Sequence, residues 1–318
     1  MINLSKELDS AKTIGISGHI RPDGDCIGST MGLFLYIKKK RPDVTVRIFL
    51  EEPADIFNCI KNIDAIEEAK NCDEEFDVFF AVDCGKDRLG DAEKLFDSAK
   101  RTINIDHHIS NPGTGDYNYV DPNASSASEL VYDLLDKELI DEDIAKALYI
   151  GIIHDTGVFQ YSNTSPKTLR TAAELVSFGF DFPKLIEETF YEKTYLQTQI
   201  MGRALLESML IMDGRVAVSQ VDKKMMDFYR VTSKDFEGIV NQLRNIKGVE
   251  VAVFMYETGT MEYKVSLRSG GVIDVAKIAG YFGGGGHVRA AGCNINGNFH
   301  DVVNNITAQI EAQYGSKK

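Results

Sequence analysis

The first half of the chain contains four short apolar runs in which hydrophobic residues follow one another rather than alternating with polar ones. Such runs are typical of parallel strands that are covered on both faces. Amphipathic or mixed segments separate the runs, and this alternation predicts an open, doubly wound, mostly parallel sheet with flanking helices. The predicted strands are 13–19, 44–50, 76–85 and 101–108, and the segments between them are 27–40, 55–69 and 90–99.

The second half begins with helical patterns and then returns to α/β alternation. Helices are predicted at 125–137, 142–157 and 166–178, and the polar, helix-prone stretch 183–205 predicts a connecting helix. Strands follow near 206–221 and at 249–257 and 261–268, with helices near 233–246, 273–281 and 299–313. The pattern therefore predicts a first domain at 1–184, a linker helix at 185–205 and a smaller α/β domain at 206–318.

The length and net charge of the chain limit the kinds of partner it can bind. The chain has 318 residues, which suits two domains, and a formal net charge of −13, which disfavours long duplex nucleic acid because binding it requires many Lys and Arg contacts with phosphates. An anionic partner must therefore be small and met locally by metal ions or a confined basic pocket. The five cysteines form no C-x-x-C pair, which argues against a disulfide framework and a structural zinc site.

No apolar run approaches the roughly 20 residues that span a bilayer, and no secretion signal is recognisable. We expect no membrane association and a cytoplasmic location.

Acidic residues and histidines follow three of the predicted strands, in "GHIRPDGD", "VDCG" and "DHH". The ligand crevice of an open parallel sheet lies beyond the carboxyl ends of its strands, so these side chains should share one edge. Their convergence predicts a metal site. The residues concerned are His19, Asp23, Asp25, Asp83, Asp106, His107 and His108.

These acids also allow other interpretations. A calcium loop starting at Asp23 would need an oxygen donor at its fifth position and Glu at its twelfth, where Ile27 and Phe34 stand, but a solvated turn remains an alternative. Asp83 closes an apolar strand, where an unpaired carboxylate is costly. It could instead cap a helix or pair with Lys86 or Arg88, although a metal role fits its neighbours better.

Two later motifs add candidates. In "GIIHDTG" we favour Asp155 over His154 as the residue that faces the site, because oxygen donors select hard ions such as Mn²⁺ or Mg²⁺. In "FGGGGHVRAAG" the bare glycine backbone lets amides approach an anion, and His287 and Arg289 add positive charge. Arg268, in "SLRSGG", could reach the same pocket. The alternatives are a flexible glycine turn and a surface ion pair.

The motifs HIRPDGD, VDCG, DHH, HDTG and GGGGHVRAAG, in this order, resemble those of the DHH phosphoesterase superfamily, and the last marks the DHH-associated C-terminal domain. The resemblance covers essentially the whole chain and is greatest with the short bacterial enzymes described as nano-RNases and pAp phosphatases, also labelled exopolyphosphatase-related. It implies that 1–184 is the catalytic domain and that 206–318 binds substrate. It also implies two Mn²⁺ ions, with Mg²⁺ or Co²⁺ as substitutes.

The resemblance further implies a role for each residue. Asp83 would bridge the two ions, His108 would face the phosphate as a catalytic residue, and Asp106 would orient a ligand. The ligands of one ion would be His19, Asp23 and Asp83, and those of the other Asp25, Asp83, His107 and Asp155. The residues that grip the substrate would be Arg268, Gly284, Gly285, Gly286, His287 and Arg289.

The implied activity is hydrolysis of very short single-stranded RNA (nano-RNA) and of 3′-phosphoadenosine 5′-phosphate (pAp) by a water activated between two ions in an interdomain cleft. Two alternatives remain open. A linear or cyclic dinucleotide (pApA or c-di-AMP) phosphodiesterase would share every metal ligand. A nucleotide-binding regulator without catalysis should have a damaged ligand set, whereas every motif position here is filled.

Two cysteines lie beside the predicted ligands. Cys26 stands where the family usually has a small residue such as Ala, and Cys84 directly follows Asp83. A soft thiol beside a hard-ion site predicts that Zn²⁺ or Cd²⁺ binds and inhibits.

Overall fold

The computed structural model describes residues 4–315, except for the side chain of Ser5. The chain divides into two compact units, the first ending at Glu192 and the second beginning at Lys193. No helix within the described part of the chain is both long and apolar enough to cross a bilayer.

The first unit is built on a six-stranded sheet in the order β3-β2-β1-β4-β5-β6, in which every neighbouring pair is parallel. The chain fills one half of the sheet from β1 outward and then the other half from β4 outward, so the switch point lies between β1 and β4. The doubly wound parallel sheet predicted from the sequence is confirmed. Its strands are β1 Thr13–Ser17, β2 Thr45–Phe49, β3 Ile66–Glu67, β4 Val78–Val82, β5 Thr102–Asp106 and β6 Tyr117–Val120.

Seven α-helices of this unit are described, and a π-helical turn, Glu187–Tyr191, follows the last. Residues 55–69 form no α-helix but short 3₁₀ turns and β3, because Asn62 adopts a left-handed conformation (φ 57°) that stops helical winding. The helices are α1 Leu4–Asp9, α2 Gly24–Lys40, α3 Glu93–Ser98, α4 Ala127–Leu134, α5 Glu142–Asp155, α6 Pro166–Val176 and α7 Phe182–Ile186.

Both faces of the sheet are covered, which explains the unbroken apolar runs. All five residues of β4 are buried. Val78 and Phe80 belong to the large core that includes residues of α2, α4 and α5, whereas Phe79 belongs to a separate cluster with Phe96 of α3. Gly15 makes room for that second cluster, since a Cβ there would lie 2.3 Å from the Phe79 ring.

The second unit contains a mixed sheet in the order β11-β12-β10-β9-β8-β7, in which only β8 and β9 are parallel. Apolar clusters cover its two faces. Its strands are β7 Met209–Ile211, β8 Val216–Val221, β9 Val251–Gly259, β10 Glu262–Ser269, β11 Gly285–His287 and β12 Ala290–Asn296. Its helices are α8 Tyr195–Leu206, α9 Lys223–Tyr229, α10 Ile239–Arg244, α11 Val275–Tyr281 and α12 Phe299–Gly315.

The predicted linker at 185–205 is helical but is not one helix. It contains the end of α7, the π-helical turn and most of α8. Thr194 starts α8 with a capping box, in which its side chain accepts from the Gln197 amide while the Gln197 side chain accepts from the Thr194 amide. Glu192, with φ −63° and ψ 132°, is extended and ends the preceding turn.

Candidate metal centre

His19 and Asp83 lie beyond the carboxyl ends of β1 and β4, the two strands that flank the switch point. His19 Nε2 is 3.4 Å from Asp83 Oδ2 and 3.6 Å from Asp23 Oδ1. His19 and Asp83 are only 4% and 2% exposed, whereas the Asp23 side chain is 65% exposed. The cluster is therefore a buried group that reaches solvent at Asp23.

Asp83 has an unusual backbone. Its φ of 64° lies in the left-handed region, which costs a non-glycine residue about 1–3 kcal/mol. Its amide donates to the carbonyl oxygen of Ile105 at 2.8 Å, so β-type pairing with the neighbouring strand persists up to this residue. Strain of this kind persists where the surrounding structure holds a side chain in place, and here that side chain is the central carboxylate of the cluster.

The adjacent histidines His107 and His108 make different contacts. His107 Nε2 points into the carboxylates and is 3.4 Å from Asp83 Oδ1 and 3.7 Å from Asp155 Oδ2. His108 Nδ1 instead lies 2.7 Å from Asp106 Oδ1. The two ring centroids are 4.7 Å apart with planes tilted by 56°. One imidazole thus belongs to the carboxylate cluster, and the other is held beside it.

Asp106 organises this turn. It is fully buried and accepts the backbone N–H groups of His107 and His108 at 2.7 and 3.1 Å, the His108 ring at 2.7 Å, and the Asn111 side-chain amide at 2.5 Å. Burial alone would raise the pKa of Asp106, but the hydrogen bonds from His108 and Asn111 together with the charge of His108 hold that pKa below its usual value. Asp106 therefore stays ionised and fixes the His108 ring.

Asp25 and Asp155 complete the cluster from helix ends. Asp25 accepts the amides of Ala127 and Ser128 at 2.6 and 3.0 Å, at the N-terminus of α4, and its Oδ2 is 3.8 Å from His107 Nε2. Asp155 is the last residue of α5. Burial and then the charge of Asp83 raise the pKa of Asp25. Burial is also the main cause that raises the pKa of Asp155 to about 6.

The cluster carries an excess of negative charge. Burial alone would lower the pKa of His107, but the surrounding carboxylates, Asp83 first, raise it to about 10. Asp23 and Asp83 likewise raise the pKa of His19 to about 10 against the effect of burial. The carboxylates therefore attract a cation, and at neutral pH protons on the two imidazoles fill that role when no metal competes.

The residues fit divalent metal ions. Asp83 Oδ1 is buried and accepts no hydrogen bond within the described residues, although a buried carboxylate oxygen normally has a partner. Carboxylate oxygens and imidazole nitrogens are donors that suit Mn²⁺ and Mg²⁺. Ligand atoms within 4.8 Å of one another form two groups that share Asp83: His19, Cys26 and Asp83, and Asp83, Asp106, His107 and His108.

Three asparagines of the site were missed by the sequence analysis. Asn104, fully buried in β5, donates to the carbonyl oxygens of Ala81 and Cys84 at 3.1 and 2.7 Å. Asn111 donates to Asn104 Oδ1 at 2.9 Å as well as to Asp106. Asn163 donates to Asp155 Oδ2 at 3.2 Å. Only Asn104 has a signal in the sequence, since it is a lone amide in the apolar strand "TINID".

Two residues considered in the sequence analysis, Lys86 and His154, contact other groups. Lys86, considered as a partner of Asp83, instead pairs with Asp97 at 3.0 Å. The ring of His154 lies against Phe57 and Phe190, with centroid distances of 5.3 and 5.4 Å. His154 therefore has aromatic neighbours, whereas Asp155 lies near His107 in the carboxylate cluster.

In the second unit the glycine-rich motif is not an open loop. Gly284 donates its amide to the Ala279 carbonyl oxygen at 2.8 Å, and its role in gripping the substrate stays a prediction. Gly285, Gly286 and His287 form the exposed strand β11, which pairs with β12. Gly286 must be glycine, because its φ is 142° and a Cβ would lie 2.4 Å from the Ala290 carbonyl oxygen.

The two arginines predicted to bind substrate lie near this hairpin. Arg268 is opposite Ala290 across β10 and β12, and its Nε donates to Asn241 Oδ1 at 3.1 Å. Arg289 is exposed, and its Nε would lie 3.0 Å from a Cβ built on Gly271. Arg268 and Arg289 thus both lie on the second unit, and their roles in substrate binding stay predictions.

The parallel sheet, its switch point and the carboxylate–imidazole cluster define an α/β protein with a two-part site that can hold divalent metal ions. The chain belongs to the DHH family: residues 13–152 match the DHH family, N-terminal domain, and residues 213–315 match the DHHA1 domain. The assignment to the DHH phosphoesterases made from the motifs is confirmed.

Relatives match the chain over most of its length. A protein of Streptococcus mutans named probable bifunctional oligoribonuclease and PAP phosphatase NrnA is 32% identical over 89% of both chains. The Bacillus subtilis bifunctional oligoribonuclease and PAP phosphatase NrnA is 28% identical over 94% of both. The cyclic-di-AMP phosphodiesterase PdeA of Listeria monocytogenes is 27% identical over 91% of this chain but only 45% of its own length.

A solved structure shares the fold over both units. The exopolyphosphatase-related protein from Bacteroides fragilis has a TM-score of 0.89 and 25% identity, and the match covers 99% of this chain and 96% of that one.

Proposed function

We propose that this protein is a two-metal phosphoesterase that hydrolyses very short oligoribonucleotides and pAp. The observation that carries the proposal is the position of Asp83: its Oδ2 faces His19 at 3.4 Å and its Oδ1 faces His107 at 3.4 Å. A carboxylate that presents one oxygen to each of two imidazoles can bridge two ions, which suits in-line displacement at phosphorus. The names of the full-length relatives support this substrate class.

Each ion would have its own ligands. His19 and Asp23 would join Asp83 on one side, and Asp25, His107 and Asp155 would join it on the other. We propose Mn²⁺ as the metal, with Mg²⁺ or Co²⁺ as substitutes, because the donors are mostly hard oxygens. When bound, such ions polarise phosphoryl oxygens and lower the pKa of a coordinated water towards neutrality.

The chain's own residues then position the substrate and handle the proton. Asp106 Oδ1 accepts a hydrogen bond from His108 Nδ1–H, which fixes the tautomer and the ring plane. We assign His108 to the reacting phosphoryl group, where it stabilises charge or assists the leaving oxygen. Asn111 holds Asp106 through its second oxygen. Arg268, His287, Arg289 and the backbone of Gly285 and Gly286 are proposed to bind another phosphate or the terminal nucleotide of the substrate.

Short substrates suit the charge of the protein. With a net charge of −13, the surface repels long polyanions, whereas two ions and a few cationic side chains can neutralise a small number of phosphates. A dinucleotide phosphodiesterase is the second candidate, because PdeA matches over 91% of this chain. The match covers only 45% of PdeA but 94% of the Bacillus subtilis NrnA, so we prefer the NrnA-type activity.

The test is a comparison of initial rates with Mn²⁺ on pAp, pApA, c-di-AMP, RNA of two to five nucleotides, a much longer RNA and pyrophosphate. We expect turnover of pAp and the short RNAs and little of the long one. Turnover of pyrophosphate alone, or of the long RNA alone, would refute the proposal. Turnover of dinucleotides alone would favour the second candidate.

Asp83→Asn separates an enzyme from a binding protein. We expect it to lose turnover, whereas a regulator without catalysis would show no turnover in the unmodified chain either. Asp97→Asn is the matched control, because Asp97 is a half-exposed carboxylate that pairs with Lys86 in the same unit. It should keep the unmodified rate.

A further inference from the structure

Cys26 lies in the first turn of α2, within the metal centre. Its side chain is fully buried, and its Sγ is 3.9 Å from the His19 carbonyl oxygen. Its sulfur, a ring nitrogen of His19 and a carboxylate oxygen of Asp83 all lie within 4.8 Å of one another. The three residues are 4% exposed or less, so they form a compact, dry set of one sulfur, one nitrogen and one oxygen donor.

The backbone fixes the sulfur in this position. A Cβ on Gly18 would lie 2.3 Å from Sγ, so the sulfur occupies the space that a side chain at the end of β1 would take. Asp23 Oδ1 accepts the amides of Asp25 and Cys26, both at 3.1 Å, which sets the first turn of α2. The thiol is therefore held against the site by packing and by the helix cap.

A second observation points to a bound cation at Asp83, the residue that links this set to the His107 side. Asp83 is 2% exposed, its Oδ2 faces His19 at 3.4 Å, and its Oδ1, which faces His107, accepts no hydrogen bond from any described residue. Asp83 is also the residue that the two groups of ligand atoms share. A buried carboxylate with an unsatisfied oxygen is costly unless a cation completes it.

We propose that Cys26 is itself a metal ligand, and that its thiolate joins His19 and Asp83 in binding borderline or soft divalent ions such as Zn²⁺, Cd²⁺ and Co²⁺. The sulfur–metal bond forms as the thiol releases its proton to solvent, and no electron is transferred. Thiolate donors select these ions over Mn²⁺ and Mg²⁺, so Cys26 sets the metal preference of one half of the centre. The inference rests on the metal centre of the proposed function but not on its substrate.

The chain provides a matched control. Cys84 is buried in the same unit, and its Sγ lies 3.7 Å from the Val82 carbonyl oxygen. It is in neither group of clustered ligand atoms within residues 4–315. A non-specific thiolate complex would involve either cysteine, whereas the proposal involves Cys26 alone.

The experiment titrates the full-length protein, stripped of metal, with Co²⁺ and follows the thiolate-to-metal charge-transfer absorption. We expect a saturable band that is lost in Cys26→Ala and retained in Cys84→Ala. In competition with Mn²⁺, Cys26→Ala should weaken Zn²⁺ binding about 10- to 100-fold. Co²⁺ binding without the band, or a band that survives in Cys26→Ala, would overturn the inference.

A measurement without any substitution guards against a variant that does not fold. The ¹¹³Cd chemical shift of the unmodified protein distinguishes one sulfur ligand from an all-oxygen and nitrogen set, and only the former agrees with the proposal. Hydrolysis of pAp with Mn²⁺ is measured on the same samples. A thiolate band without hydrolysis would refute the proposed function alone, and hydrolysis without the band would refute this inference alone.

Discussion

Asn104 donates its side-chain amide to the carbonyl oxygen of Cys84 at 2.7 Å, so a residue inside β5 fixes the backbone immediately after Asp83. The same amide donates to Ala81, and Asn104 Oδ1 accepts from Asn111. The strained turn at Asp83 and the turn that carries the paired histidines are thereby tied to one buried side chain. Metal binding should depend on this connection.

Asn104→Ala should therefore lower both stability and metal affinity. Leaving the buried carbonyl groups without partners costs about 1–3 kcal/mol in the free energy of unfolding. Mn²⁺ affinity should fall about 10-fold or more because the Asp83 turn loses its anchor. Urea denaturation and Mn²⁺ titration measure the two effects. Asn71→Ala, at an exposed asparagine of the same unit, is the control and should leave both values unchanged.

Substitution of each adjacent histidine should have a different effect. His107→Ala should abolish binding of one ion, because His107 Nε2 lies among three carboxylates. His108→Ala should retain both ions but lower kcat about 10²- to 10⁴-fold, because His108 is held by Asp106. Metal stoichiometry and steady-state kinetics measure these effects. Loss of an ion in His108→Ala would contradict the assignment.

Metal binding should stabilise the first unit. The buried carboxylates repel one another when no cation is bound, so Mn²⁺ should raise the melting temperature and a chelator should lower it. At an ion concentration 100 times the Kd, one site contributes about 2.7 kcal/mol. Differential scanning fluorimetry with and without Mn²⁺ measures the shift. Asp83→Asn should reduce the shift, and Asp97→Asn should preserve it.

Acid should weaken one specific connection between strands. Asp77 accepts from Lys100 Nζ at 2.8 Å and from the amides of Lys12 and Thr13 at 2.8 and 3.2 Å. The Lys100 hydrogen bond is the main cause that lowers the pKa of Asp77 to about 2. Because the folded state binds this proton less tightly than the unfolded state, the stabilisation is complete above about pH 4 and is lost as the pH falls towards 2.

Asp77→Asn should accordingly lower the free energy of unfolding at pH 7 by about 1 kcal/mol, and the difference from the unmodified protein should shrink towards pH 2. Denaturant titrations at several pH values measure this. Asp73→Asn is the control, because the Asp73 side chain is 96% exposed. A difference that does not depend on pH would show that Asp77 acts through packing alone.

The glycine hairpin of the second unit offers a paired test of the described backbone. Gly286→Ala should destabilise this unit by about 1–3 kcal/mol, since its φ of 142° and the nearby Ala290 carbonyl oxygen exclude a Cβ. Gly285→Ala has open space and should leave the stability unchanged. Thermal unfolding measures both. Equal destabilisation by the two substitutions would contradict the described hairpin.

The predictions from sequence succeeded where local pattern controls structure. The mostly apolar runs predicted the four central strands, because a strand covered on both faces buries side chains on both sides. The edge strand β6 was not predicted, because its residues "YNYV" are exposed or half-buried and form no apolar run. The break at Glu192 was also missed, because the capping box at Thr194 can start a new helix inside a helix-prone segment.

The sequence by itself determined that acids and histidines from distant segments would meet at one edge, because the carboxyl ends of parallel strands lie side by side. Tertiary structure alone decided which oxygen faces which imidazole, and that the amides of Ala127 and Ser128 hold Asp25 from about a hundred positions away. The physical reason is that apolar patterning along the chain specifies which segments form parallel strands, and therefore which residues follow their carboxyl ends. The direction of a side chain, in contrast, depends on hydrogen-bond partners that only folding brings within reach.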